Sequence, residues 1–213
     1  MLGPLKRIAS VEGISACNVP SFILESKQPL ILKGFIKDWP IVNKGQESET
    51  SLQNYLLKHS SGQDLIVGCG TPDIDGRIFY NEALTALNCK AYKMPLADLL
   101  GQIKKHRGDE RPPLYYMGTT SADAYFPKLK LENNIRIEGQ SPAMNIWMGN
   151  QSIIPAHYDV PNNIACNIYG KRRFTLFPPE QLKHLYIGPL DFTPSSQSIR
   201  PVTQTHPTLP HNQ

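Results

Sequence analysis

The feature that most constrains this chain is a succession of short apolar segments separated by turn residues. Candidate strands lie at Asp64 to Val67, Arg77 to Tyr80, Leu114 to Met117, Met144 to Met148, Ile153 to Asp159, Asn163 to Tyr169 and Arg172 to Phe177. Each is too short to bury itself, and stability comes only when several pair into a sheet that closes or packs on another layer. Upstream, the run from Pro29 to Phe35 reads as a further buried strand that turns into Asp38-Trp39-Pro40. Two amphipathic helices are expected, Ser51 to Leu57 opening on an N-cap serine and Pro95 to Ile103 with proline in its first turn, while residues 43–50 read as a polar loop. The pattern predicts a mainly β fold, a sandwich or barrel decorated with N-terminal helices.

With 213 residues and 40% hydrophobic content, the chain suits one ordinary globular domain. Its net charge of +4 is mild, and the basic residues are scattered, so nucleic acid is not indicated as a partner. Cys17, Cys69, Cys89 and Cys166 form no C-x-x-C pair and read as reduced thiols of a cytoplasmic protein. No apolar run approaches the roughly 18 residues of a membrane span. After Thr193 the chain is rich in Pro, Ser, Thr and Gln and lacks periodicity, so residues 193–213 read as a low-complexity tail. The expected organisation is a domain over 1–192, with a helix and strand extension to about residue 110 and barrel strands from about 111 to 192.

Chemistry concentrates at His157-Tyr158-Asp159. In an extended strand, residues two apart face the same side, so an imidazole and a carboxylate would project together. Those are two of the three ligands of a 2-His-1-carboxylate site, which leaves open positions on iron(II). A bare H-x-D is equally the pattern of a surface pair in a turn. The same alternation puts Arg172 on the face of Phe174 and Leu176, the inward face of a barrel, although Lys171, Arg172 and Arg173 also fit a solvated basic cluster.

Three motifs extend this constellation: H-Y-D-x-P-x-N from His157 to Asn163, G-K-R-R-F-x-L-F-P-P-E-Q from Gly170 to Gln181, and L-Y-x-G-P from Leu185 to Pro189. Together with residues 29–40 and Leu114-Tyr115-Tyr116-Met117-Gly118, they resemble the JmjC-like, cupin-fold hydroxylases, a group that includes the factor-inhibiting asparaginyl hydroxylase and bacterial relatives. The resemblance implies a double-stranded β-helix and an iron(II)- and 2-oxoglutarate-dependent oxygenase acting on a protein side chain or small molecule. It implies that His157 and Asp159 are the first two iron ligands, that Tyr116 and Asn163 lie beside 2-oxoglutarate, and that Arg172 holds the distal carboxylate where relatives commonly use Lys. Arg suits that task because its planar fork binds carboxylates bidentately. Ile154 departs from the family where some relatives carry Thr.

The family's second histidine comes on a later strand, and no matching segment follows here. His206 and His211 stand between prolines and polar residues, where a ladder strand does not form. The chain is therefore expected to be truncated, with an incomplete barrel, weak iron binding and a second copy as a candidate partner. The competing expectation is a non-catalytic cupin module that binds a ligand or partner. A sugar-isomerase type of cupin fits less well, since its early motif carries more than one histidine. His59, His106 and His184 read as surface histidines, and Trp39 and Trp147 as core aromatics, with Trp147 also a candidate for lining a substrate pocket.

Overall fold

The computed structural model describes residues 7–184 apart from residues 82, 84, 158 and 160, with the backbone alone at 182–184. In chain order the elements are β1 (Ala9–Glu12), α1 (Ser21–Glu25), β2 (Leu30–Lys33), α2 (Pro40–Glu47), α3 (Glu49–His59), β3 (Leu65–Gly70), β4 (Lys90–Met94), α4 (Leu96–Lys105), β5 (Leu114–Ser121), α5 (Ala122–Tyr125), α6 (Leu129–Glu132) and β6 (Asn145–Gly149). Short 3-10 turns lie at Pro72–Ile74 and Pro179–His184. Residues 7–63, 120–146 and 162–172 make up one unit, and residues 64–119, 147–161 and 173–184 a second, so both units draw on both sides of residue 110.

In the first unit, β1 and β2 pair in parallel with Ala9 opposite Leu30. Helix α3 forms for local reasons. The Ser48 side chain accepts the Ser51 N–H at 3.0 Å, Glu49 sits in the first turn and Lys58 in the last, complementing the helix dipole. Leu52, Tyr55, Leu56 and His59 then recur at helical spacing on the buried face. Helix α2 occupies part of what reads in the sequence as a polar loop. Its Pro40 is at the first position, Ile41 is buried, and the Ile41 N–H is capped at 3.0 Å by Oδ1 of Asn133, far away in sequence. That cap is invisible to local patterning.

Asn133 is 1% exposed and sits at the centre of a buried network. Its Nδ2 donates to the Tyr55 hydroxyl at 2.9 Å and to the Leu129 carbonyl at 2.9 Å, and Tyr55 donates in turn to Glu132 Oε2 at 2.7 Å. His59 joins by donating Nδ1–H to the Tyr55 carbonyl at 2.7 Å, with Nε2 3.5 Å from Glu132 Oε2. His59 is thus 4% exposed rather than a surface residue, because its partner comes from α6.

The second unit is built on β3, antiparallel to β4 (Leu65 opposite Met94) and to β5 (Val67 opposite Met117), in the sheet order β4-β3-β5-β6. Leu65 and Val67 are buried while Ile66 between them is 52% exposed, the alternation of a strand with one covered face. Leu96, Leu99 and Leu100 make the buried face of α4, as its periodicity predicts. Each fully buried aliphatic side chain of this kind contributes roughly 1.5–3 kcal/mol. The sheet with helices ahead of it agrees with a mainly β cupin fold.

Several expected strands do not form among the described residues. Arg77 to Tyr80 makes only isolated bridges, Arg77 with Ile153 and Tyr80 with Leu87, and Ile153 to Asp159 contributes that single bridge. Asn163 to Tyr169 and Arg172 to Phe177 pair with no strand. Alternation in sequence assigns faces, but a strand also needs a neighbour to supply its ladder of hydrogen bonds. Among the described residues no helix is long and apolar enough to cross a membrane.

Candidate metal centre

The path to His157 begins at Gly76. With φ of +68° and a Cβ position that would collide with the Gln151 carbonyl oxygen, only glycine fits there. The Gly76 carbonyl accepts the Ile153 N–H at 2.8 Å and the Ile153 carbonyl accepts the Ile78 N–H at 3.1 Å, which anchors the segment before it enters the buried Pro155. From there His157 and Asp159 project from irregular backbone, not from the strand that parity suggested.

They nevertheless face each other, with His157 Nε2 at 3.9 Å from Asp159 Oδ1. The His157 Nδ1 lies 2.8 Å from the Pro155 carbonyl oxygen, which can only accept, so Nδ1 carries the proton. In the neutral ring Nε2 is then a lone pair turned toward a carboxylate, an arrangement that a cation between them stabilises. Ligands on adjacent positions of an octahedral ion, each at about 2.0–2.2 Å, stand about 3 Å apart, so the pair at 3.9 Å would close by about 1 Å to share an ion in that geometry. The donor set suits iron(II), with its taste for imidazole and carboxylate. Both side chains are accessible, at 39% and 55%. Among the described residues no third His, Cys, Asp or Glu joins them. His206 and His211 lie outside the described residues, as do residues 193–213 and the side chain of His184.

Tyr116 is half-buried on β5, in the same unit as the pair. Asn163 and Arg172 belong to the other unit and are exposed. Phe174 and Leu176, expected on one inward face with Arg172, are both 56% exposed, and among the described residues no strand pairs with this segment. Trp39 is buried as expected, but Trp147 on β6 is 42% exposed and is not a core aromatic. His106, read as a surface histidine, bonds Asp109 at 2.7 Å and stacks on Tyr115 at a centroid distance of 6.0 Å. Burial pushes the Cys166 thiol up to about 11, so it is protonated at neutral pH.

Sequence reasoning passed over Asn150, which follows β6. Its Oδ1 accepts the Tyr115 N–H at 3.0 Å and its Nδ2 donates to the Pro113 carbonyl at 2.7 Å. An asparagine after an apolar strand reads only as a turn residue, so no local signal marks this role.

The mainly β fold defines a class, and comparison with known proteins agrees with it. The chain belongs to the cupin-like domain family, whose model matches residues 17–212 and so runs past Thr193. It is similar to the Jumonji C domain-containing protein 5 of Drosophila melanogaster, 25% identical over 93% of this chain and 49% of that protein. It is similar also to the lysine-specific demethylase 8 of Danio rerio, 23% identical over 87% of this chain and 44% of that protein. A third relative is the JmjC domain-containing protein D of Dictyostelium discoideum, 23% identical over 74% of this chain and 36% of that protein. The chain spans about half or less of the length of these curated relatives. The JmjC resemblance read from the motifs therefore stands.

Proposed function

We propose that this chain carries active-site residues of an iron(II)- and 2-oxoglutarate-dependent hydroxylase, with His157 and Asp159 as metal ligands. The observation that carries the reading is the His157 ring, whose Nδ1–H is committed to the Pro155 carbonyl while Nε2 faces Asp159 across 3.9 Å. A backbone carbonyl behind a ligating imidazole fixes its tautomer and raises its basicity. The chemistry that iron(II) held there would supply is activation of dioxygen, one oxygen atom ending in the succinate formed, with carbon dioxide, from 2-oxoglutarate and the other in the hydroxylated protein side chain or small molecule. The protein's share is to hold and orient. In this reading Tyr116 and Asn163 offer hydrogen bonds to the cosubstrate, Arg172 offers a bidentate fork to its distal carboxylate, and Ile154 adds no hydroxyl. The four free thiols fit a reducing cytoplasm.

The test is succinate formation from 2-oxoglutarate with iron(II) under air. The expected result is slow turnover, abolished by His157→Ala, with Arg172→Ala raising the KM for 2-oxoglutarate. Turnover indifferent to both substitutions would overturn the assignment. The pair lacks a third donor among the described residues, and this favours a second reading as a non-catalytic cupin module. Tight binding of 2-oxoglutarate or of a second copy of the chain, with no succinate formed at any iron(II) concentration, would decide for it.

A further inference from the structure

The candidate cosubstrate residue Tyr116 is held by a device that the metal pair does not explain. Where the pairing of β5 and β6 ends, the Asn150 side chain replaces the next rung of the ladder. Its carboxamide spends both ends on backbone at the start of β5, at the Tyr115 N–H and at the carbonyl of Pro113 just before the strand, while its own N–H donates to the Tyr115 carbonyl at 3.2 Å. On the opposite face of the strand, the Tyr115 ring is stacked against His106. Residue 115 is therefore fixed from both sides, and the orientation of the next Cα–Cβ bond is fixed with it.

The ring of Tyr116 then rests between two glycines on different strands. A Cβ at Gly118 would lie 3.7 Å from Tyr116 Cε1, and one at Gly149 would lie 3.0 Å from Tyr116 Cδ2 and 2.7 Å from the Tyr115 carbonyl oxygen. These contacts involve opposite edges of the ring. A Cβ at Gly118 would itself make ordinary contact with the ring, and a branched side chain that reaches beyond it would crowd the ring, whereas Gly149 has no room for a Cβ against the strand backbone.

We infer that Asn150 is a positioning residue for Tyr116 and that Gly118 and Gly149 complete its seat, so that these residues set how tightly the site takes the dicarboxylate cosubstrate. The inference rests on the reading of Tyr116 as a cosubstrate contact. A hydrogen-bonding group held in one orientation before the ligand arrives loses less freedom on binding, which is why a pre-set ring strengthens affinity.

The experiment uses the whole 213-residue chain with 13C-labelled tyrosine, the Tyr116 ring signal being assigned by its loss in Tyr116→Phe. The signal is followed while 2-oxoglutarate is titrated into the wild type, Asn150→Ala and Gly118→Val, and unfolding is recorded for each. Asn150→Ala removes the clamp without touching the ring, and Gly118→Val displaces the ring without touching the clamp. The expected result is a dissociation constant raised roughly tenfold in both variants, the low end of what loss of an outer-shell partner costs. A change confined to melting temperature is what a purely structural role would give. If Asn150→Ala does not fold, Gly118→Val decides. Unchanged affinity in the folded variants, while Tyr116→Phe binds less tightly, overturns the seat and leaves the cosubstrate reading standing. A wild-type Tyr116 signal that does not move at saturating 2-oxoglutarate overturns that reading and this inference with it.

Discussion

Replacing Asn133 with alanine should be the most damaging polar substitution in the first unit. The side chain is 1% exposed and makes three hydrogen bonds, to the Ile41 N–H, the Tyr55 hydroxyl and the Leu129 carbonyl. Two of the three partners keep another bond when it is lost. Leu129 still accepts the Asn133 N–H at 3.0 Å, and Tyr55 still donates to Glu132. The Ile41 N–H, in the first turn of α2, loses its cap. One buried donor left unpaired costs about 1–3 kcal/mol, and each satisfied bond lost adds about 0.5–1.5 kcal/mol. The expected destabilisation is therefore about 3 kcal/mol, which for a chain of this size lowers the melting temperature by about 6–12 °C. The chain has two tryptophans, Trp39 in the first unit and Trp147 in the second, so Trp39 fluorescence in a Trp147→Phe background reports the first unit during urea unfolding. Asn133→Asp keeps an acceptor for Ile41 and should retain the α2 cap, but it sets a second carboxylate beside Glu132. A loss below about 1 kcal/mol in Asn133→Ala would refute the network as the tie between α2, α3 and α6.

Other outcomes follow from the same structure. Burial, reinforced by the bond to Glu132, pushes the Tyr55 phenol up to about 12 from its ordinary 10.0, so the folded state holds that proton more tightly than the unfolded state. Its contribution is complete below pH 10 and is lost as pH rises toward 12, and the urea midpoint read by Trp39 should fall across that window in the wild type but less in Tyr55→Phe; equal slopes would contradict it. Gly76→Ala, which forces a Cβ into a left-handed residue and against the Gln151 carbonyl, should cost at least about 2 kcal/mol in the second unit and loosen iron(II) binding, because Gly76 anchors the segment that leads to His157. An unchanged Trp147 unfolding midpoint in that variant would refute the anchoring role.

The elements legible in the sequence are those whose cause is local. Helices α3 and α4 show their apolar stripes and, for α3, a capping serine; β3, β5 and β6 show apolar runs bounded by Gly, Pro or Asn. The elements that stayed hidden depend on distant partners. Helix α2 opens on a cap that Asn133 provides, and β4, whose sequence Lys-Ala-Tyr-Lys-Met is mostly exposed, is a strand because β3 lies beside it. The reverse failure has the same origin. Residues 164–168 keep a period of two in their exposure and 172–177 have the right composition, yet neither has a neighbouring strand among the described residues. At the candidate site, the H-x-D pair stands out because two ligand-type residues lie two apart. Asn150 does not, because its partners Pro113 and Tyr115 are met only when β5 and β6 pair.

The most direct measurement of the central claim is an anaerobic calorimetric titration of iron(II) into the chain, its His157→Ala and Asp159→Ala variants, and Arg172→Ala as a control beyond the metal. The account predicts weak but measurable binding in the wild type, a loss of at least about 10-fold on removing either proposed ligand, and an iron affinity that Arg172→Ala leaves alone. Iron(II) affinity unchanged by both His157→Ala and Asp159→Ala would contradict it.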